Sequence, residues 1–198
     1  MVVEFPIMEL ITPSRERPNS LKTLEHPHPM LREVCTEVTE FDDNIVKFSN
    51  DLLELCRWHT GLGMAAPQVG NLKRIIVVDT NVLDYIYSKK YTEQGYPKIL
   101  INPVITNPQG RMRYKEGCLS LPGVSAWVSR CRSFGLAYQT ELGESKTLDI
   151  SVDLVGDPYG IVVQHEVDHL NGIEFIDNID IIEKNKVQKQ INKLRKKQ

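Results

Sequence analysis

The chain has 198 residues, 41% apolar and 25% charged, which suits one domain with a substantial core and excludes disorder as the default. No apolar run approaches the ~18 residues needed to cross a bilayer, so no membrane partner is expected. The formal net charge of −2 conceals a segregation: residues 184–198 hold seven basic side chains and no acidic one. The other 17 basic residues face 26 acidic ones, a net of −9. An acidic body with a basic tail suits a polyanionic partner, although a solvated surface helix carries the same pattern.

In chain order, Pro6, Pro13 and Pro18 predict an extended arm over residues 1–20. Met1 to Leu10 carries Glu4 and Glu9 without a basic n-region, so it does not read as a secretory signal, and a cytoplasmic location is expected. His26-Pro27-His28-Pro29 continues the irregular stretch; neither histidine has metal-like spacing to a second ligand, and a surface turn is the reading. Asp42 and Asp43 can cap a helix to about His59, where Ile45, Phe48, Leu52, Leu55 and Cys56 form one apolar stripe. Gly61 and Gly63 end it.

Strands are predicted at 74–78 and 99–101, with a tyrosine-rich hairpin or excursion over 79–97 between them. Alternating segments at 125–128, 133–139 and 145–153 predict an antiparallel sheet with turns at Gly135 and Gly143. Asp157-Pro158 reads as an N-cap and a first-turn proline opening a helix through Gln164 to Leu170. A last helix, about 181–197, places Ile182, Val187, Ile191 and Leu194 on one side. With no repeat and no linker, the expected fold is a single α+β domain spanning 1–198.

The sharpest chemical signal is His165-Glu166-Val167-Asp168-His169. On a helix, histidines four apart share a face with Cβ atoms about 6 Å apart, and both rings reach one ion. On a strand they would be about 13 Å apart, beyond one ion's reach. The metal reading therefore requires helix, although Gly160 weakens one by about 1 kcal/mol relative to alanine. Two imidazoles leave the site short of a ligand. A metzincin would place histidine at position 175, which is Phe175, so that class fails, whereas Glu174 and Glu183 keep a thermolysin-like third ligand open.

The four cysteines, at 35, 56, 118 and 131, form no C-x-x-C pair, and a chain of this size needs no disulfide. Cys35, Cys56 and Cys131 read as small buried apolar residues. Cys118 lies in Glu116-Gly117-Cys118-Leu119-Ser120, where a thiolate would complete a Cys-His-His set with one open position. Upstream, Gly61-Leu62-Gly63-Met64-Ala65-Ala66-Pro67-Gln68 would let a ligand approach the backbone closely.

Together these segments resemble the peptide deformylase family, whose signatures take the form G-x-G-x-A-A-x-Q, E-G-C-L-S and Q-H-E-x-D-H. All three stand here in family order, and the match covers roughly 24–178, with an added N-terminal arm and an enlarged 79–97 segment. The resemblance implies antiparallel sheets around a central metal-binding helix, with a C-terminal helix. It implies that Cys118, His165 and His169 bind one divalent ion, ferrous iron foremost, with zinc, nickel or cobalt also accommodated. Glu166 would be the base, while the Gln68 side-chain amide and the Leu119 N–H would donate to the developing oxyanion.

Gly61, Leu62, Gly63 and Arg130 are the expected substrate contacts. Leu62, Tyr114, Ile161 and Val162 are candidates for an apolar pocket that takes the methionine side chain. Glu116 and Ser120 would brace the loop, and Asp168 would orient the helix or pair with an arginine. The implied reaction removes the formyl group from the N-terminal formyl-methionine of newly made proteins, releasing formate. Formyl-methionyl nascent peptides are then the partners, with the ribosome a candidate for the basic tail and no sequence-specific DNA. Two rivals stand beside this reading: an H-E-x-x-H endopeptidase indifferent to Cys118, and a ribosome-associated binding protein without activity.

Overall fold

The structure, a computed structural model, describes Pro18 and residues 20–88, 90–152 and 158–196. The predicted arm and the Asp157 N-cap lie almost wholly outside these residues. Helix α1, Asp43–Trp58, starts where the Asp42 carboxylate accepts the Ile45 N–H at 3.0 Å. Strands β1 (Gly63–Ala65) and β2 (Ile75–Val78) follow. Every β2 residue is buried, and the β-branched run suits a strand covered on both faces. Ile75 and Val77 face Leu52, Leu55 and Cys56 of α1, while Ile76 and Val78 face the opposite layer.

The 79–97 stretch is not a hairpin. It forms helix α2, Thr80–Tyr87, whose N-cap Asp79 accepts the Asn81 N–H at 3.2 Å. Asp79 is fully buried and also accepts from Arg57 Nε at 2.9 Å, which fixes the helix start to the end of α1. Its tyrosines did not reveal the helix, because Tyr91 and Tyr96 lie beyond it; Tyr96 packs edge-on against both Tyr91 and Tyr159.

Strands β3 (Ile99–Gln109), β4 (Met112–Cys118), β5 (Leu121–Arg130), β6 (Ser133–Gln139) and β7 (Ser145–Ser151) complete two antiparallel sheets. The larger has the order β1-β2-β3-β6-β7, and β4-β5 form a separate hairpin. Gly143 lies in a turn with φ 82°, as the sequence suggests. Gly135 does not: it sits within β6, where a Cβ would come within 2.6 Å of Thr106 Oγ1 on β3. Sequence reading also missed β4, whose charged alternate residues conceal a strand with one buried edge of polar chemistry.

Helix α3, Pro158–Leu170, crosses the sheet and is buried at every residue except Asp168. A helix buried all round loses the amphipathic signature, which explains why Ile161-Val162-Val163 looks strand-like. Helix α4, Ile181–Arg195, lays Val187, Ile191 and Leu194 against β5. Ile182 does not join them; it is 64% exposed, because Glu183 turns inward to accept the Trp127 N–H at 3.1 Å. Among the other cysteines, Cys35 and Cys56 are buried, whereas Cys131 is half-exposed and sets its thiol against Gln164 Oε1 at 3.0 Å.

Gly160 costs helix propensity, yet its bare Cα is what lets α3 approach β7. An added Cβ would stand 2.7 Å from Cγ2 of both Ile150 and Val152. Both neighbours are β-branched and stiff, so overpacking outweighs the roughly 1 kcal/mol that alanine gains as a helix former. Gly160→Ala should therefore lower stability by about 1–2 kcal/mol net, read as a reduced midpoint in thermal unfolding.

Candidate metal centre and active site

The end of β4 meets the middle of α3. Cys118 is the last residue of β4, and the two-residue turn Leu119-Ser120 returns the chain to β5. His165 and His169 are one helical turn apart on α3, with ring centroids 5.0 Å apart. One ligand atom from each of Cys118, His165 and His169 lies within 4.8 Å of the others. Cys118 Sγ lies 3.3 Å from His169 Nε2. Among the described residues these three make the one metal-ready group.

His165 is held from behind. Glu116 sits two residues before Cys118, hence on the same face of β4, and its Oε2 lies 2.8 Å from His165 Nδ1. Facing a carboxylate, Nδ1 carries the hydrogen and donates it, which leaves the Nε2 lone pair for an ion. Phe175 stacks on the same ring at 6.0 Å between centroids. Glu116 is itself clamped by Arg130, through Nε to Oε1 at 2.7 Å and Nη2 to Oε2 at 2.8 Å. The third arm of Arg130, Nη1, donates to Asp168 Oδ2, which also accepts from Asn178 Nδ2 at 2.8 Å.

Arg130 is therefore not where substrate contact would need it. It is 5% exposed, and three of its nitrogens serve two carboxylates of the protein. Asp168 takes the arginine pairing expected of it. Glu116 does more than brace a loop, because it orients a ligand histidine; its even spacing from Cys118 along β4 was the signal available in the sequence.

Electrostatics follow from this burial. Loss of solvent would raise the Glu116 carboxyl, but the Arg130 and His165 hydrogen bonds overcome it and hold the group at about 2. The clamp therefore persists through ordinary pH and is lost only as pH falls toward that value. Burial pulls the His165 imidazole down, but its Cys118 and Glu116 contacts and charges leave it well above the usual range. His169 is pushed well below by burial and by the nearby His165 and Arg130 charges. Glu166, fully inside the protein, is raised by desolvation to about 7.

Four buried side-chain polar atoms have no hydrogen-bond partner among the described residues: Ser49 Oγ, Arg132 Nε, Glu166 Oε2 and His169 Nδ1. The last two belong to residues of the Cys-His-His cluster and its neighbour on α3. Buried polar atoms are rarely left unpaired, and the free Glu166 oxygen beside the three donors fits a group reserved for something other than protein. A thiolate and two imidazoles are borderline-soft donors that suit a divalent transition ion, and three protein ligands leave one position for substrate chemistry. The residues fit the ion.

Gly63 explains how Glu166 is approached. A Cβ there would stand 2.5 Å from Val162 Cγ1 and 2.8 Å from Glu166 Oε1, so β1 lies directly against the Glu166 carboxylate. Gly61 is similarly tight against Leu119 Cδ1 at 2.8 Å. Gln68 is buried, with Oε1 accepting the Ala65 N–H at 2.7 Å. Its Nε2 points at Ser120 Oγ, 3.1 Å away, and at Cys118 Sγ, 3.4 Å away. The structure thus brings together Gly61, Gly63, Gln68, Cys118, Leu119, His165, Glu166 and His169, and sets Arg130 behind them.

The polypeptide deformylase family model matches residues 20–185. The chain belongs to this family. A peptide deformylase of Desulfotalea psychrophila is 34% identical over 173 residues, covering 87% of this chain and 95% of the relative. One from Helicobacter pylori strain P12 is 34% identical, covering 90% and 97% respectively. A solved Plasmodium falciparum peptide deformylase superposes with a TM-score of 0.75 at 33% identity, covering 89% of this chain and 96% of that one. The α+β fold, with antiparallel sheets and a central helix, is that of the deformylases. The protein is a hydrolase that removes the formyl group from the N-terminus of newly made proteins, within a metal-dependent family.

An endopeptidase with a downstream glutamate ligand does not fit. Glu174 is held by His26 Nδ1 at 3.1 Å and Arg32 Nη2 at 2.8 Å, and Glu183 by Trp127 N–H and Lys186. With Glu116 fixing the His165 tautomer, Glu116→Gln should weaken metal binding roughly 10–100-fold. Chelator competition on anaerobically prepared protein, with metal content read directly, measures this.

Proposed function

We propose that the chain acts as one catalytic domain on formyl-methionyl nascent peptides in the cytoplasm, with Cys118, His165 and His169 holding one ferrous ion. Zinc, nickel or cobalt suits the same donors. The observation that carries the reading is the Glu166 carboxylate, buried beside the three ligands with Oε2 unpaired by the protein. A bound divalent ion supplies an electrophile and lowers the pKa of a water toward neutrality.

Glu166 accepts a proton from the attacking water and later returns it to the departing amine, so formate and a free N-terminus result. Its elevated proton affinity suits both roles near neutral pH. The Gln68 amide and the Leu119 N–H donate to the formyl oxygen as charge builds there. Of the two Gln68 hydrogens, the one toward Cys118 Sγ at 3.4 Å makes the weaker bond and is the one free to be redirected.

Substrate backbone has an edge to meet. β1 ends the larger sheet, and the Leu62 carbonyl accepts from Asp79 N on the β2 side. Alternation along a strand then turns the Gly63 N–H and C=O outward, as the Ala65 N–H is when it reaches Gln68. An extended peptide can add to Gly61-Leu62-Gly63 as a strand, with its first residue delivered to Glu166. Arg130 is assigned a positioning role through Glu116 in place of contact.

The exposed face of α4 carries Lys184, Lys186, Lys189 and Lys193, a charge pattern suited to a ribosomal RNA surface. Deleting residues 184–198 should weaken salt-sensitive ribosome co-sedimentation; unchanged co-sedimentation removes this partner. Glu166→Ala should retain metal yet lose nearly all formate release from formyl-Met-Ala, and Gln68→Ala should lose on the order of 10²–10³ in rate. Near-normal turnover in the first, or less than a threefold loss in the second, would refute the role concerned. As pH falls through about 7 and below, protonation of Glu166 should extinguish wild-type activity.

A further inference from the structure

The 79–97 excursion meets the active-site strand through Tyr87. Tyr87, the last residue of α2, places its hydroxyl 3.2 Å from the Tyr114 hydroxyl on β4. Tyr114 shares the inward face of β4 with Glu116 and Cys118, so it lies about 13 Å along the strand from the sulfur. Tyr87, Tyr114 and Leu62 are all half-buried against the cluster that contains Ile161 and Val162. Ile161 and Val162 stand one helical turn before His165 and Glu166. Leu62, Ile161, Val162 and Tyr114 thus belong to one apolar strip that starts a helical turn from the reacting centre and is only half-buried at Leu62 and Tyr114, with Tyr87 bonded to its tyrosine.

We infer that Tyr87 determines how long a first side chain the enzyme accepts, by holding the Tyr114 ring across the outer end of this strip. The inference rests on the deformylase reading and adds a residue from outside the three signature segments. Tyr87 is well placed to hold, because α2 is fixed at its start by the ion pair of Arg57 with the buried Asp79 and along its length by fully buried Leu83. The hydroxyl contact restrains the Tyr114 ring, and without it that ring gains freedom to swing clear. Each methylene that fits or fails to fit in an apolar site changes discrimination by about 10–200-fold, so a movable end wall is read directly in substrate preference.

The test compares kcat/KM for formate release from formyl-Met-Ala-Ser and from formyl-2-aminooctanoyl-Ala-Ser, whose side chain is longer. In wild type the methionyl substrate should be preferred. Tyr87→Ala should raise the long-to-methionyl ratio about tenfold or more. Tyr87→Phe and Tyr114→Phe, which keep both rings and break the same hydroxyl contact, should each raise it about threefold, and the double variant no further. Ratios within twofold of wild type in all three folded variants overturn the inference, and a lowered melting midpoint with an unchanged ratio does the same by leaving the pair a structural role alone. Should Tyr87→Ala fail to fold, the two phenylalanine variants decide. A wild-type enzyme that releases formate from neither substrate refutes the deformylase reading instead.

Discussion

The clamp of Arg130 on Glu116, and of Glu116 on His165, is the constraint around which the site is organised. Burying a guanidinium and a carboxylate costs several kcal/mol per ion unless each finds excellent partners. Here Glu116 has both oxygens engaged, and Arg130 spreads its donors over two carboxylates. The consequence for chemistry is orientation. A ligand histidine free to rotate or to exchange tautomers would spend part of its time with the wrong nitrogen toward the cluster. Tying Nδ1 to a carboxylate that stays ionised far below neutral pH removes that freedom.

The clamp works only because two elements with different geometry meet at one place. The pleat of β4 brings Glu116 and Cys118 to one face, and the turn of α3 brings His165 and His169 to one side. Neither pair makes a site alone. Their meeting requires α3 to lie deep between the sheet and the β4-β5 hairpin, where side-chain volume is limiting. Gly160 against β7 and Gly63 against Val162 and Glu166 provide that depth. Both glycines sacrifice local propensity for close packing, and the second also leaves a bare strand edge beside the Glu166 carboxylate.

Around this centre the remaining elements divide their tasks. Helix α1 covers the far face of β1 and β2 and so stiffens the edge strand from behind. Helix α4 covers β5, tied by Glu183 to Trp127 N–H and by Gln190 to Ser125, and thereby supports the hairpin that carries Cys118. Its outer side keeps the basic charge that the acidic body lacks. Helix α2 follows β2, packs Leu83 into the cluster shared with α3 and meets β4 through the Tyr87–Tyr114 hydroxyl contact.

Much of this was legible in the sequence, and what was legible has a common cause. The i, i+4 histidines, the cysteine loop and the glycine-rich segment declare their chemistry through short spacings, because ligands on one element must obey that element's period. Helix α1, strand β6 and the Asp42 cap were readable for the same reason. What tertiary structure alone decided are relations between distant segments, which no local period encodes. Gly135 proved to be a packing contact and not a turn, and Ile182 faced solvent because Glu183 found a backbone partner inside. Helix α2 is a different case: Val82, Leu83, Ile86 and Tyr87 do carry a helical repeat, but over only eight residues. Arg130 is the clearest case. Its position next to the cysteine loop suggests the substrate, but two carboxylates from β4 and α3 claim its donors, and only the folded chain brings them within reach.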